Sequence, residues 1–117
     1  MIAVSTTISH ECVVNLILIL VANTDGADTI RSSHITFNNW TVYNGDDSIS
    51  MKANSTDITI TNSKLYDGLG IAFGSIGQYY RQFETIERIR IENITYDNTL
   101  HAVSIIPESP ATPFFSL

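Results

Sequence analysis

The 117-residue chain is long enough for one small domain at most. With 44% hydrophobic and 15% charged residues, it does not have the composition of a disordered chain. A net charge of −6 argues against a nucleic-acid partner and gives no electrostatic help in holding an acidic polymer.

Residues 1–22 stand apart from the rest of the chain. Cys12 to Ala22 is an apolar run interrupted by Asn15. It is shorter than the about 20 residues that a membrane span requires. No positive residue precedes Glu11, so the run lacks the n-region of a signal peptide. Read-through of non-coding sequence or a damaged structural unit accounts for it better. If the run packs, it should form a strand against the first regular unit. The single cysteine, Cys12, cannot close an internal disulfide, so cysteine usage does not report the compartment.

From Asn23 the sequence becomes periodic. Asn23-Thr24-Asp25-Gly26 is followed by Asn44-Gly45-Asp46-Asp47 and by Gly68-Leu69-Gly70, with Asp25 and Asp46 21 residues apart and Asp46 and Leu69 23 apart. A near-constant interval between loop-like motifs marks corresponding points on successive units. A second register agrees with the first. Ile35-x-Phe37-x-Asn39, Ile58-x-Ile60-x-Asn62 and Ile89-x-Ile91-x-Asn93 follow one another at intervals of 23 and 31 residues. Each copy alternates apolar and polar residues, which is the strand period. Three residues beyond each asparagine comes another apolar or aromatic residue: Val42, Leu65, Tyr96. Units of such short strands cannot bury their own faces and must stack on one another. The expected fold is all-β, a short right-handed parallel β-helix of about four coils. Stacked strands lie about 4.8 Å apart, so Asn39, Asn62 and Asn93 are expected to form an internal amide ladder.

Within this frame the aspartates can be assigned to faces. The alternation ending at Ile30 places Asp28 and Ile30 on one face and Asp25 and Thr29 on the other. In the next coil Ile49 and Met51 point inward, so Asp46, Ser48 and Ser50 point outward. Asp25 and Asp46 therefore project from the same outer face of adjacent coils. Asp47 shares the inward parity of Ile49 and reaches the outer face only if the chain bends at the strand start, where Gly45 permits a bend. An alternative stays open, in which Asp and Gly simply mark turns and Asp47 caps its own backbone. Leu69 has the parity of Ile71 and Phe73 and is expected to pack inward.

The eight extra residues of the 31-residue interval fall in the loop Gly74 to Glu87. Gln78, Tyr79, Tyr80 and Arg81 cluster there. Aromatic faces stack on sugar rings and an arginine can bind a carboxylate, which makes Gln78, Tyr79 and Arg81 candidate substrate contacts. The alternative is a solvated loop whose aromatics fold down as a lid. Of the sequons at Asn39, Asn54 and Asn93, the first and last belong to the inward ladder. Asn54, between strands, is the candidate glycosylation site of a secreted product. His10, His34 and His101 share no ligand spacing, so no metal site is expected.

The ordered set Asn-Thr-Asp-Gly, Gly-Asp-Asp and Gly-x-Gly leading into Gly74-Ser75 resembles glycoside hydrolase family 28. That family includes polygalacturonases and exo-acting rhamnogalacturonan hydrolases of pectin breakdown. The resemblance runs from Asn23 to Val103. It implies inverting hydrolysis of a glycosidic bond by three aspartates, without a metal or other cofactor. Asp46 would be the general acid that protonates the leaving oxygen, and Asp25 and Asp47 would hold and deprotonate the attacking water. An inverting pair stands roughly 6.5–9.5 Å apart to leave room for that water. Crowded carboxylates raise at least one carboxyl pKa, which keeps a proton available. The resemblance further implies a secreted, monomeric protein with no membrane or nucleic-acid partner. Its partner would be a pectic polysaccharide, rhamnogalacturonan or polygalacturonan.

Two positions depart from the polygalacturonase pattern. Those enzymes carry Gly-His-Gly where this chain has Gly68-Leu69-Gly70, and Arg-Ile-Lys where it has Ser104-Ile105-Ile106. Both departures favour a neutral rhamnose over galacturonate at the cleaved site. A reading frame that leaves the family after Val103 explains the second equally well. The expected organisation is an atypical segment over 1–22, a partial β-helix over 23–106 and an irregular tail over 107–117. Family members are longer, so the chain looks like a fragment. The competing classes are an inactive truncated remnant or noncatalytic polysaccharide-binding β-helix and, ranked last, a lyase-like β-helix. A lyase would need calcium and a basic residue beside Asp25 and Asp46.

Overall fold

The alternation of apolar residues becomes a set of short strands that all run the same way. The computed structural model describes residues 7–8, 12–15 and 24–107, and every regular element among them is a strand. The strands are β1 (Thr7–Ile8), β2 (Cys12–Asn15), β3 (Ala27–Thr29), β4 (Ser33–Asn38) and β5 (Trp40–Asn44). They continue with β6 (Asp47–Met51), β7 (Ser55–Asp67), β8 (Gly70–Ile76), β9 (Ile86–Asp97) and β10 (Val103–Pro107). Parallel neighbours cannot be joined by a hairpin, so the chain must travel round before it pairs again.

One sheet has the order β10-β8-β6-β3; the other runs β1-β4-β7-β5-β2, with β9 paired to β7. The first half of β7 pairs with β4 and its second half with β5, so β7 and β9 each cover two faces in one bent strand. The result is a parallel β-helix in which the coils β3–β5, β6–β7 and β8–β9 each have three faces. Cys12–Asn15 lies beside Trp40–Tyr43, so part of the apolar run does stack on the first regular coil. The remainder of the segment 1–22, and the tail beyond Pro107, lie outside the described residues.

The core is built of columns, one residue per coil. Ile35, Ile58 and Ile89 stack, as do Phe37, Ile60 and Ile91; on the other sheet Ile49, Ile71 and Val103 stack. Val42, Ile49, Ile58, Ile60, Leu65 and Ile71 are fully buried. Ile60→Ala removes one link from the middle of such a column. It is expected to lower stability by about 2–5 kcal/mol in urea unfolding, with activity per folded molecule unchanged.

The asparagine ladder forms, but on the outside. Asn39, Asn62 and Asn93 have positive φ values of 61°, 52° and 55°. One left-handed residue breaks the two-residue period, so Phe37 and Ile60 point inward before it and Val42 and Leu65 after it. Asparagine tolerates that conformation better than most residues. All three are exposed, which overturns the inward assignment made from strict alternation. Asn93 Nδ2 donates to Asn62 Oδ1 at 2.7 Å, and Asn62 Nδ2 donates to Asn38 Oδ1 at 2.9 Å. The first rung is thus Asn38, not Asn39. Tyr43 and Tyr66 stack face to face in neighbouring coils, with centroids 4.4 Å apart.

Candidate active site

The turn before β6 ties two coils together through one buried side chain. Asn44 Nδ2 donates to Thr24 O at 2.9 Å, Asp46 O at 2.7 Å and Asp47 O at 2.9 Å. Thr24 Oγ1 accepts the Gly45 N–H at 2.9 Å. These bonds hold the residue before Asp25 against the backbone of Asp46 and Asp47. Sequence reasoning missed Asn44 and Thr24, although both sit inside the repeated motifs. Downstream, Leu69 N donates to Asp46 O at 2.7 Å and His101 N to Leu69 O at 3.2 Å, so Asp46, Leu69 and His101 stack in successive coils.

The bend that Asp47 needs is present, but it lies at Ser48 and not at Gly45. Asp47 pairs with Gly70 while Ile49 pairs with Ile71, so two steps on β6 match one on β8 and Ser48 is the extra residue. Such a bulge inverts the parity of the residues before it and turns Asp47 to the outer face while Ile49 stays in the core. Ser48 is fully buried and its Oγ donates to Asn44 Oδ1 at 3.1 Å. Asp46 is the residue that caps this turn: its Oδ1 accepts the Asp47 N–H at 2.8 Å.

The face assignments of Asp28, Thr29 and Leu69 change. Ala27 and Thr29 pair with the core residues Ile49 and Met51, so Asp28 faces outward and Thr29 is buried. The strand begins only at Ala27, and alternation cannot be carried back through the turn to Asp25. Ser50 does alternate outward, yet it is fully buried, and its Oγ donates to Gly74 O at 2.8 Å. Leu69 does not join the core. Gly70, at φ 95°, breaks the alternation between them, and Leu69 is half-buried on the rim of an open pocket of about 310 Å³. Gly45, Gly68, Thr99 and Leu100 line the same pocket.

The structure therefore brings Asp25, Asp46 and Asp47 into one electrostatic neighbourhood and adds Asp28, Lys52 and His101 to it. Asp25 is pushed up to about 6, first by desolvation of its carboxyl, then by the Asp28 charge and a hydrogen bond with Asp28, and by Asp46; Lys52 opposes the shift. Burial also raises Asp47, which is 6% exposed, with Asp46 and Asp25 adding to the shift and Lys52 and His101 opposing it. Lys52 Nζ lies 3.7 Å from Asp28 Oδ2. Among the described residues, no group of three or more His, Cys, Asp or Glu side chains could hold a metal ion.

Both raised carboxyls bind protons more tightly in the folded state than in the unfolded one. Their contribution to stability is therefore largest at acid pH and declines as pH rises, for Asp25 from 3.8 to about 6. The thermal midpoint is expected to fall across that window, and Asp25→Asn and Asp47→Asn should each flatten the decline in a pH series of melting curves.

Gln78, Tyr79 and Arg81 are exposed in the connection between β8 and β9. They follow the far end of β8, six residues along from Gly70, or about 20 Å of strand. The structure thus keeps them on the opposite edge of the sheet from Asp46 and Asp47. Tyr79, Tyr80 and Phe83 are 54%, 74% and 70% exposed, so these aromatics are not folded down as a lid. The Arg81 guanidinium sits 5.2 Å from the Tyr80 ring centroid. Asn54 is exposed, with its Oδ1 accepting the Thr85 N–H at 3.1 Å.

Comparison with known proteins gives consistent relatives. The chain is 68% identical over 81 residues to alpha-L-rhamnosidase rgxB of Aspergillus niger, covering 69% of this chain and 19% of that protein. It is 37% identical over 91 residues to exopolygalacturonase X of Aspergillus niger, covering 76% of this chain and 21% of the relative. Exopolygalacturonase of Cochliobolus carbonum is 43% identical over 76 residues, 65% of this chain and 17% of the relative. The chain thus spans about a fifth of the length of these curated relatives. No solved structure matches it. Its residues 2–113 match glycosyl hydrolases family 28, and the chain belongs to that family.

Proposed function

We propose that this chain carries the catalytic aspartates of an exo-acting pectin hydrolase that releases a terminal rhamnose by an inverting reaction. What supports the reading is that Asp46 lies close enough to Asp25 and Asp47 to raise both carboxyls, beside the bulge at Ser48.

Asp46 is the general acid. Its Oδ1 is engaged by the Asp47 N–H, which leaves Oδ2 to deliver a proton to the glycosidic oxygen. Water attacks the anomeric carbon from the opposite side of the ring, and Asp25 and Asp47 take its proton. The bond to the leaving oxygen breaks, the water oxygen stays on the released sugar with inverted configuration, and the leaving group departs as an alcohol.

Two observations favour rhamnose over galacturonate. Ser104 and Ile106 lie opposite Ala72 and Gly74 and offer no cation to a sugar carboxylate. The 68% identity is to a relative named as a rhamnosidase, whereas those named exopolygalacturonases are less similar. Chromatography of products from rhamnogalacturonan and polygalacturonan oligosaccharides tests the assignment. Rhamnose is the expected product; release of galacturonate overturns the sugar assignment, and an unsaturated product overturns hydrolysis itself.

Gln78, Tyr79 and Arg81 contact the polysaccharide beyond the cleaved residue. Tyr79→Ala is expected to raise KM about two- to tenfold on long substrates with kcat little changed. The protein works outside the cell as a monomer, where cell-wall pectin is reached, and Asn54 carries a glycan.

A further inference from the structure

We propose that Leu69 and Leu100 hold the methyl group of a terminal 6-deoxy sugar, a rhamnose, in the pocket beside Asp46, and so select against a sugar that carries a carboxylate in place of that methyl. The choice of rhamnose rests on the proposed function; the preference of the pocket for an apolar carbon does not.

The pocket is built by the turns that enter three successive coils. Gly45 immediately precedes Asp46, Gly68 and Leu69 lie one coil on and Leu100 one coil further, and all four line its volume of about 310 Å³. Backbone bonds fix the stack. Gly68 N donates to Asn44 O at 2.9 Å, Leu69 N to Asp46 O at 2.7 Å and Leu100 N to Gly68 O at 3.0 Å. Gly68 lies so close to the preceding turn that a Cβ there would overlap the Asp46 carbonyl oxygen. The cavity therefore opens directly beside Asp46.

Its lining is of two kinds. Asp67 ends β7 and Asn98 follows β9, both with left-handed φ values of 64° and 58°. Asn98 Nδ2 donates to Asp67 Oδ1 at 3.0 Å, which joins the two and leaves Asp67 Oδ2 and Asn98 Oδ1 to accept from hydroxyls. The leucines are the other kind. Leu69 is half-buried and Leu100 is 68% exposed, so an apolar carbon packed on them removes aliphatic surface from water. Among the described residues that line the pocket none is lysine, arginine or histidine, and the ionisable one, Asp67, is acidic. A carboxylate among these groups would lose water and gain no counter-ion, which is unfavourable. A 6-deoxy sugar suits both kinds of lining: its hydroxyls bond Asp67 and Asn98, and its methyl packs on the leucines.

The test is a carbon-13 NMR titration of leucine-methyl-labelled protein with L-rhamnose, L-lyxose and D-galacturonate. Lyxose has the ring hydroxyls of rhamnose and lacks only the methyl, so the pair isolates that group. Resonances of Leu69 and Leu100 are assigned with Leu69→Ala and Leu100→Ala. They are expected to shift at about tenfold lower concentration of rhamnose than of lyxose, and to stay in place with galacturonate. In Leu69→Ala, read at Leu100, the preference for rhamnose should shrink to about twofold while affinity for lyxose is kept. A packing defect would weaken both sugars alike.

Equal binding of rhamnose and lyxose by the parent, leucine resonances that no sugar moves, or equal weakening of both sugars in Leu69→Ala overturns the inference. Leu100→Ala, at the more exposed position, decides the question if Leu69→Ala does not fold: an undiminished rhamnose preference read at Leu69 rejects the pocket. If the leucines report rhamnose but the protein cleaves no pectic glycan, the pocket stands and the hydrolase reading fails. If rhamnose is released from a glycan while the leucines are indifferent to it, the hydrolase reading stands and the pocket falls.

Discussion

Asp46→Asn is expected to lower kcat on a pectic oligosaccharide by about 10²–10⁴-fold while leaving affinity within a few-fold of the parent. Asparagine keeps the shape of aspartate and an Oδ1 that can accept the Asp47 N–H, so the turn that holds Asp46 stays intact. The Asn44 contacts to Thr24 and to the Asp46 and Asp47 carbonyls involve no atom of the Asp46 side chain. The variant loses only the proton for the leaving oxygen. A substrate with a good leaving group, which needs little protonation, should therefore recover much of the rate. Kinetics on natural and activated substrates, with a binding isotherm on the variant, check this. A binding-only β-helix would show no turnover in the parent, and undiminished turnover in the variant would place the acid elsewhere.

The largest structural effect is expected from Gly70→Ala, a loss of about 3 kcal/mol or more in urea unfolding. Gly70 has φ 95°, a conformation that side-chain-bearing residues rarely adopt. A Cβ at this position would overlap the carbonyl oxygen of His101 in the next coil. That coil is held there by backbone bonds, His101 N to Leu69 O at 3.2 Å and Ile71 N to Ala102 O at 3.2 Å. The added methyl must push the coils apart or twist the strand, and either breaks the ladder between β8 and β10. Ile60→Ala creates a void without touching this ladder, so it serves as the comparison. A Gly70→Ala protein as stable as the parent would contradict the stacking of Val103 on Ile71.

The solenoid was legible because its signal is repetitive: a 23-residue interval with apolar residues in register can be satisfied only by stacking. Local faces were less legible wherever the two-residue period is interrupted. Asn39, Asn62 and Asn93 share the parity of the core residues before them, and only their left-handed φ reveals that they sit outside. Parity lets Asp47 reach the outer face only through a bend, and the bend exists, but as an extra residue at Ser48. Alternation counted back from Ile30 puts Asp28 and Thr29 on the wrong faces because β3 ends at Thr29 and Ile30 lies beyond it. It sends Leu69 inward for the same reason, with Gly70 as the interruption. Lys52 and His101 carry no motif; they meet the aspartates only because the coils stack.

The loop offers the opposite lesson. Gln78, Tyr79 and Arg81 stand out as an insertion beyond the repeat, and the insertion is real. Which edge of the sheet it occupies depends on strand direction. It follows the C-terminal end of β8, while Asp46 and Asp47 stand where β6 begins.

The most direct measurement is proton NMR of the sugar released in the first minutes of digestion of a rhamnogalacturonan oligosaccharide, before mutarotation. Single displacement requires free rhamnose to appear first as the anomer opposite to that of the substrate linkage. Appearance of the same anomer would contradict single displacement by Asp46 with Asp25 and Asp47, and the catalytic assignment of the three aspartates would fall with it.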